Sequence, residues 1–142
     1  MKVLSCVAAN DMGYPINPKM VEQQAEGAIG MAVGDSLYEE IKVDKGVMTN
    51  PNFTDYRVPS STQMPPNDNV KTIIAAAPHK DGPFGAKGFS EGGMTGMQSA
   101  IANAIYDAIG VRIKELPITP EKLSLIHISE PTRPLYISYA VF

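Results

Sequence analysis

The order of apolar and polar positions divides this chain into short strand-like runs and two long helices. Residues 3–9 are continuously apolar and β-prone, which predicts a buried strand. Asn10, Asp11 and Gly13 follow with turn chemistry. Asn17 and Pro18 then open a helix, Asn as its cap and Pro at its first position, and the pattern carries it to about Glu40. Residues 41–48 read as a hairpin turning at Asp44, Lys45 and Gly46. Residues 50–69, rich in Pro, Asn, Ser and Thr, predict a long irregular crossing, and ordered loops of that length are often functional. Residues 70–77 form the next strand. In the second helix Ile101, Ala104, Ile105, Ala108 and Ile109 recur on one face, and Gly110 supplies the C-terminal cap. Residues 111–116 alternate as a short strand. Thr119, Pro120 and Glu121 start a last helix, which the β-branched and aromatic sequence after it does not continue. Strands interspersed with two main helices, with hairpin signals, predict an α+β fold rather than a doubly wound sheet.

Three glycines interrupt the first helix on one face, Gly27, Gly30 and Gly34. Each costs up to ~1 kcal/mol relative to alanine. A closely packed helix or a bulky ligand on that face would offset it. Gln24 lies one turn before Gly27 on the same side, where a solvated polar residue is the plain expectation.

A length of 142 residues suits one domain, and a net charge of −3 gives no footing for nucleic acid or an anionic membrane. Cys6 is the single cysteine, which leaves no internal disulfide and no cysteine-ligated iron–sulfur cluster in this chain. No apolar run approaches the ~20 residues of a membrane span. The N-terminal run reads as a strand rather than a leader, so the expected compartment is the cytoplasm.

The last part of the sequence looks foreign. Residues 123–133 reproduce in order the translation of a transposase adapter used in sequencing libraries. Residues 137–142 match the translation of the next constant segment, with an index-sized gap at 134–136. Residues 123–142 are therefore set aside as a non-native, adapter-derived tail, and 1–122 are read as the domain. Removing the tail leaves the net charge at −3.

The candidate chemistry lies in residues 81–93. Gly82, Gly85 and Gly88 recur every third residue and lead to Glu91, which Gly92 and Gly93 follow. Glycine permits unusual backbone angles and close approach, and a carboxylate on such a loop is a candidate general base. Burial would raise its pKa toward neutrality. A surface loop with an incidental glutamate fits the same residues. The run matches neither a nucleoside-triphosphate loop nor a dinucleotide fingerprint. Gly85 to Gly88 does form a GxxG, the backbone clamp of some RNA-binding modules, so a stand-alone nucleic-acid module is the alternative; the acidic balance and the lack of a basic face count against it. His79 is the one histidine before the tail and no G-x-S-x-G occurs, so neither a hydrolytic triad nor a zinc site is supported.

The loop resembles the active-site glutamate loop of the molybdenum hydroxylases, the xanthine dehydrogenase and aldehyde oxidoreductase family. The likeness extends along the chain. Residues 11–18 resemble the family's D-x-G-x-x-(I/L)-N-P, and residues 22–28 its helix carrying G-Q-x-E-G. Residues 37–40 resemble its L-x-E-E, residues 55–59 its Y-(R/K)-(I/V)-P, and residues 102–113 its final helix and strand. Two positions depart: Gln23 stands where the family has Gly, and Phe89 and Ser90 stand where Val and Gly are common.

The resemblance implies that 1–122 is an incomplete C-terminal part of the second molybdopterin-binding domain. It implies that Glu91 is the catalytic base and that Gln24 hydrogen-bonds the pterin, with Gly27 beside it. Lys87, Gly88, Phe89 and Ser90 would line the site, and no protein residue would ligate the metal. The implied reaction is hydroxylation of an aldehyde or N-heterocycle with water. The implied cofactor is molybdenum–molybdopterin, including its cytosine dinucleotide form. The remainder of the molybdenum subunit, iron–sulfur clusters and FAD would be supplied by other domains or subunits, and the fragment alone would be inactive.

Overall fold

The computed structural model describes residues 1–129, with the side chains of 127–129 left aside. Strand β1 (Cys6–Asp11) is followed by helix α1 (Pro18–Leu37), the hairpin β2 (Val43–Asp44) and β3 (Val47–Met48), strand β4 (Val70–Ala75), helix α2 (Thr95–Ile109) and helix α3 (Pro120–Ser129). Single 3-10 turns stand at Asn67–Asn69, Pro83–Gly85 and Glu91–Met94. Helices and strands are mixed, as the sequence pattern predicts.

β1 and β4 pair in parallel, Cys6 opposite Val70 through Asp11 opposite Ala75. One face of the pair packs on α1. On the other face Val7, Ala9, Ile73 and Ala75 are exposed, so β1 is half-exposed rather than buried. The expectation of a buried strand fails because, among the described residues, β4 is its one neighbour.

α1 begins as its sequence dictates. The Asn17 side chain accepts the Met20 N–H at 3.3 Å, and Pro18 occupies the first helical position. The helix ends at Leu37 rather than near Glu40, because the N–H groups of Tyr38 and Glu39 both turn back to the Gly34 carbonyl. Ile29, Ala32, Val33 and Leu37 project into the core against Ala8 of β1, Met97 and Ile101 of α2, Ile118, and Leu123 of α3. Full burial of side chains such as Ile29 and Val33 contributes roughly 1.5–3 kcal/mol each. The α1 and α2 helices are further tied by the Gln98 amide, which donates to Asp35 at 3.1 Å.

The helix glycines have different neighbours. A Cβ on Gly34 would overlap the Glu39 carboxylate and stand 3.2 Å from Pro59 Cδ, so the Glu39 side chain, with the crossing loop beside it, fills that place rather than a second helix. A Cβ on Gly30 would make ordinary contact with Met64, at 3.6 Å. One on Gly27 would meet nothing within 4 Å.

Residues 111–116 form no strand. Val111 and Ile113 still use their alternation, packing against the core, but no described strand lies alongside to pair with them. α3 starts at Thr119 as expected, its hydroxyl accepting the Lys122 N–H at 3.3 Å. It then continues through 123–129, beyond the expected stop, because Leu123 is buried in the core and anchors the second turn. Residues 130–142 lie outside the described residues.

Candidate functional site

The C-terminal end of β1 organises the site. Asp11 Oδ1 accepts the Gly13 N–H at 2.9 Å and the Ala77 N–H at 3.3 Å. Its Oδ2 accepts from the Lys87 ammonium at 2.5 Å. One carboxylate thereby joins the turn after β1, the segment leaving β4 and the glycine loop. The Lys87 hydrogen bond, and then that from the Gly13 N–H, hold the Asp11 carboxyl below the usual carboxylate range. The next residue, buried Met12, gives its carbonyl to the Lys87 N–H at 2.9 Å.

The backbone of the glycine loop is committed to this docking. Gly85 carbonyl oxygen accepts from the N–H groups of Tyr14 and His79, both at 3.0 Å. Gly13 has φ +64°, and a Cβ there would stand 2.2 Å from that same oxygen. A GxxG that clamps nucleic acid needs a free backbone, and here it is bound to its own chain. The alternative of a nucleic-acid module therefore finds no support.

Downstream, the turn Glu91–Met94 leads into α2. Gly93 lies flat against its neighbours: a Cβ there would be 3.4 Å from Ala28 Cβ, 3.5 Å from Phe89 Cζ and 3.7 Å from Asn10 Oδ1. Asn10 faces inward from β1, and its Nδ2 is buried without a hydrogen-bond partner among the described residues.

Between the turn after β1, the first turns of α1 and the glycine loop lies a groove of about 260 Å³. Gln24, Lys87 and Phe89 line it together with Met12, Tyr14 and Asn17. Gln24 of α1 thus meets Lys87 and Phe89 of the glycine loop, more than sixty residues on, on one concave surface. Gly27 is exposed one turn beyond Gln24, and Gly88 and Ser90 are exposed beside Phe89. On Gly27, Gly88 and Gly92 an added Cβ would meet nothing within 4 Å, so the space beside them is open.

Glu91 is exposed and does not line the groove. The expected burial of this carboxylate is not supplied by the described residues. Among the described residues no group of three His, Cys, Asp or Glu side chains could hold a metal ion, and no helix is long and apolar enough to cross a membrane. Sequence reasoning took Asp11 for a turn residue and missed its role as the joint. The Asp-x-Gly spacing signals its bond to the Gly13 N–H, whereas nothing local signals Lys87.

The family model described as a molybdopterin cofactor-binding domain matches residues 1–65. The chain is 39% identical over 125 residues to the 6-hydroxypseudooxynicotine dehydrogenase complex subunit gamma of Paenarthrobacter nicotinovorans, covering 86% of this chain and 16% of that protein. It is 34% identical over 125 residues to the aldehyde oxidoreductase molybdenum-binding subunit PaoC of Escherichia coli, covering 87% of this chain and 17% of that one. Among solved structures, quinoline 2-oxidoreductase from Pseudomonas putida superposes with a TM-score of 0.81 at 33% identity, over 94% of this chain and 17% of that one. The chain spans about one-sixth of the length of the curated relatives it matches.

Proposed function

We propose, from the premise that this chain belongs to the molybdopterin cofactor-binding domain family of xanthine dehydrogenase- and aldehyde oxidoreductase-type molybdenum-binding subunits, that it furnishes one wall of a cofactor and substrate site in a larger oxidoreductase. The observation that carries the reading is the meeting of Gln24, Lys87 and Phe89 on one groove. Open glycine surfaces lie beside Gln24 and on either side of Glu91.

The residues present fit a flat, hydrogen-bonding heterocycle. Gln24 is exposed on the groove, where its carboxamide can both donate and accept. Gly27, Gly88 and Gly92 leave room that any side chain would fill. When bound, the molybdenum–molybdopterin group supplies two-electron redox chemistry. Gln24 orients the pterin. Lys87, Gly88, Phe89 and Ser90 shape the pocket with backbone groups and the Phe89 ring. Glu91 takes the proton from the water that becomes the new hydroxyl group. In this reading other parts of the subunit and the cofactor cover the turn that carries it.

The substrate class is an aldehyde or an N-heterocycle. Relatives named for quinoline and nicotine conversion support the heterocycle, and those named for aldehydes support the other. Iron–sulfur clusters and FAD belong to partner domains or subunits, since Cys6 alone cannot hold a cluster. In the same reading residues 1–122 are the family segment and 123–142 are foreign. Source DNA whose frame runs past Lys122 without the adapter supports that division, and an unchanged frame overturns it.

The functional test is Glu91→Gln in the molybdenum holoenzyme that carries this segment. Molybdenum content stays at the unmodified level, and turnover falls by several orders of magnitude, as loss of an essential base requires. Turnover like that of the unmodified enzyme refutes the role.

A further inference from the structure

The span that carries Glu91 is held at its upstream end by two consecutive residues, Asp11 at the end of β1 and Met12 after it. At the upstream end Lys87 is held twice, its N–H by the Met12 carbonyl at 2.9 Å and its ammonium by Asp11 Oδ2. At the downstream end the turn Glu91–Met94 packs on α1, and a Cβ on Gly93 would stand 3.4 Å from Ala28 Cβ. Between them Gly88, Ser90, Glu91 and Gly92 are exposed, and beside Gly88 and Gly92 there is open space. A glycine-rich span with a free centre takes its position from its ends. Asp11 makes the one ion pair at those ends, and it also fixes the turn at Gly13 and the exit of β4 at Ala77.

We infer that Asp11, acting through Lys87, is a positioning residue for Glu91: the ion pair sets where the carboxylate stands and takes no part in proton transfer. This rests on the reading of Glu91 as the base. A half-exposed pair contributes little to stability, so its effect is expected in geometry, where a displacement of about 1 Å costs on the order of 100-fold in rate.

Asp11→Asn isolates the pair, because the amide oxygen still accepts from Gly13 and Ala77 while the charge facing Lys87 is lost. In the molybdenum holoenzyme carrying this segment, Asp11→Asn is expected to keep molybdenum content and KM and to lower kcat about 10- to 100-fold. Deuterium uptake in residues 85–94 rises at the same time. Lys87→Met likewise lowers kcat and raises the uptake, and the double variant is no worse in kcat than either single one. Lys71→Met, on the exposed face of β4, changes neither reading. If Asp11→Asn fails to fold, Lys87→Met carries the test alone, since it leaves both Asp11 backbone bonds in place. Unmodified kcat and uptake in the pair variants, with Glu91→Gln inactive, overturn the positioning role and leave the base standing. Unmodified turnover in Glu91→Gln removes the base and the positioning role with it.

Discussion

Replacing Gly13 by alanine separates steric necessity from backbone freedom. Gly13 has φ +64°, and an alanine there pays the left-handed penalty of about 1 kcal/mol. Its Cβ also arrives 2.2 Å from the Gly85 oxygen, with Lys87 Cγ and Lys87 N both 3.2 Å away. The loop must retreat, and the Tyr14-to-Gly85 and Lys87-to-Met12 backbone bonds go with it. At about 1 kcal/mol each, they bring the loss to about 3 kcal/mol. Gly46 in the β2–β3 turn is the internal control. It has φ +82° but nothing within 4 Å of its missing Cβ, so Gly46→Ala costs about 1 kcal/mol from strain alone. Urea denaturation of the full chain reads both. With an m-value of about 2 kcal/mol/M, the Gly13 variant shifts the midpoint by about 1.5 M and the Gly46 variant by about 0.5 M. A Gly13→Ala loss within about 0.5 kcal/mol of that of Gly46→Ala would falsify the contact argument.

Gly27→Ala is expected to stabilise the cofactor-free chain by up to ~1 kcal/mol, since it is an exposed helix-interior glycine with free space around it. The same change lowers cofactor retention in the holoenzyme; denaturation and molybdenum analysis check the two halves, and unchanged retention removes Gly27 from the cofactor wall. Tyr56 donates to Glu39 Oε2 at 2.5 Å, which pushes the phenol pKa up. Its folded value lies above the unfolded one, so the contribution is complete below about pH 10 and is lost as pH rises through the folded value. Tyr56→Phe should flatten that alkaline decline in unfolding midpoint, and an equal decline in both proteins refutes the link.

What the sequence made legible is what local chemistry decides. Asn17 and Pro18 fix the start of α1, Lys45 and Gly46 fix the hairpin turn, and Gly110 closes α2 in the left-handed conformation. Gln24, Lys87 and Phe89 were legible as a group through family motifs, and the groove brings them together. The misses are non-local. Residues 111–116 have a strand pattern but no described strand to pair with. Leu123 extends α3 because the core receives it. The Asp11–Lys87 pair joins residues 76 apart in the chain, which no window of sequence reveals. Glu91 was legible as a candidate, and the described residues leave it exposed.

The parallel pairing of β1 with β4 has a consequence for biosynthesis. Its partners lie about sixty residues apart, so closing the sheet carries a loop-entropy cost that neighbouring hairpin strands avoid. At roughly 5–20 residues per second, a nascent β1 waits several seconds before β4 is made, and longer before Lys87 can reach Asp11. Throughout that interval the apolar Val7, Ala8 and Ala9 have no strand beside them. A strand left without its partner is open to edge pairing with other chains, so slowed synthesis between residues 11 and 70 is expected to raise aggregation.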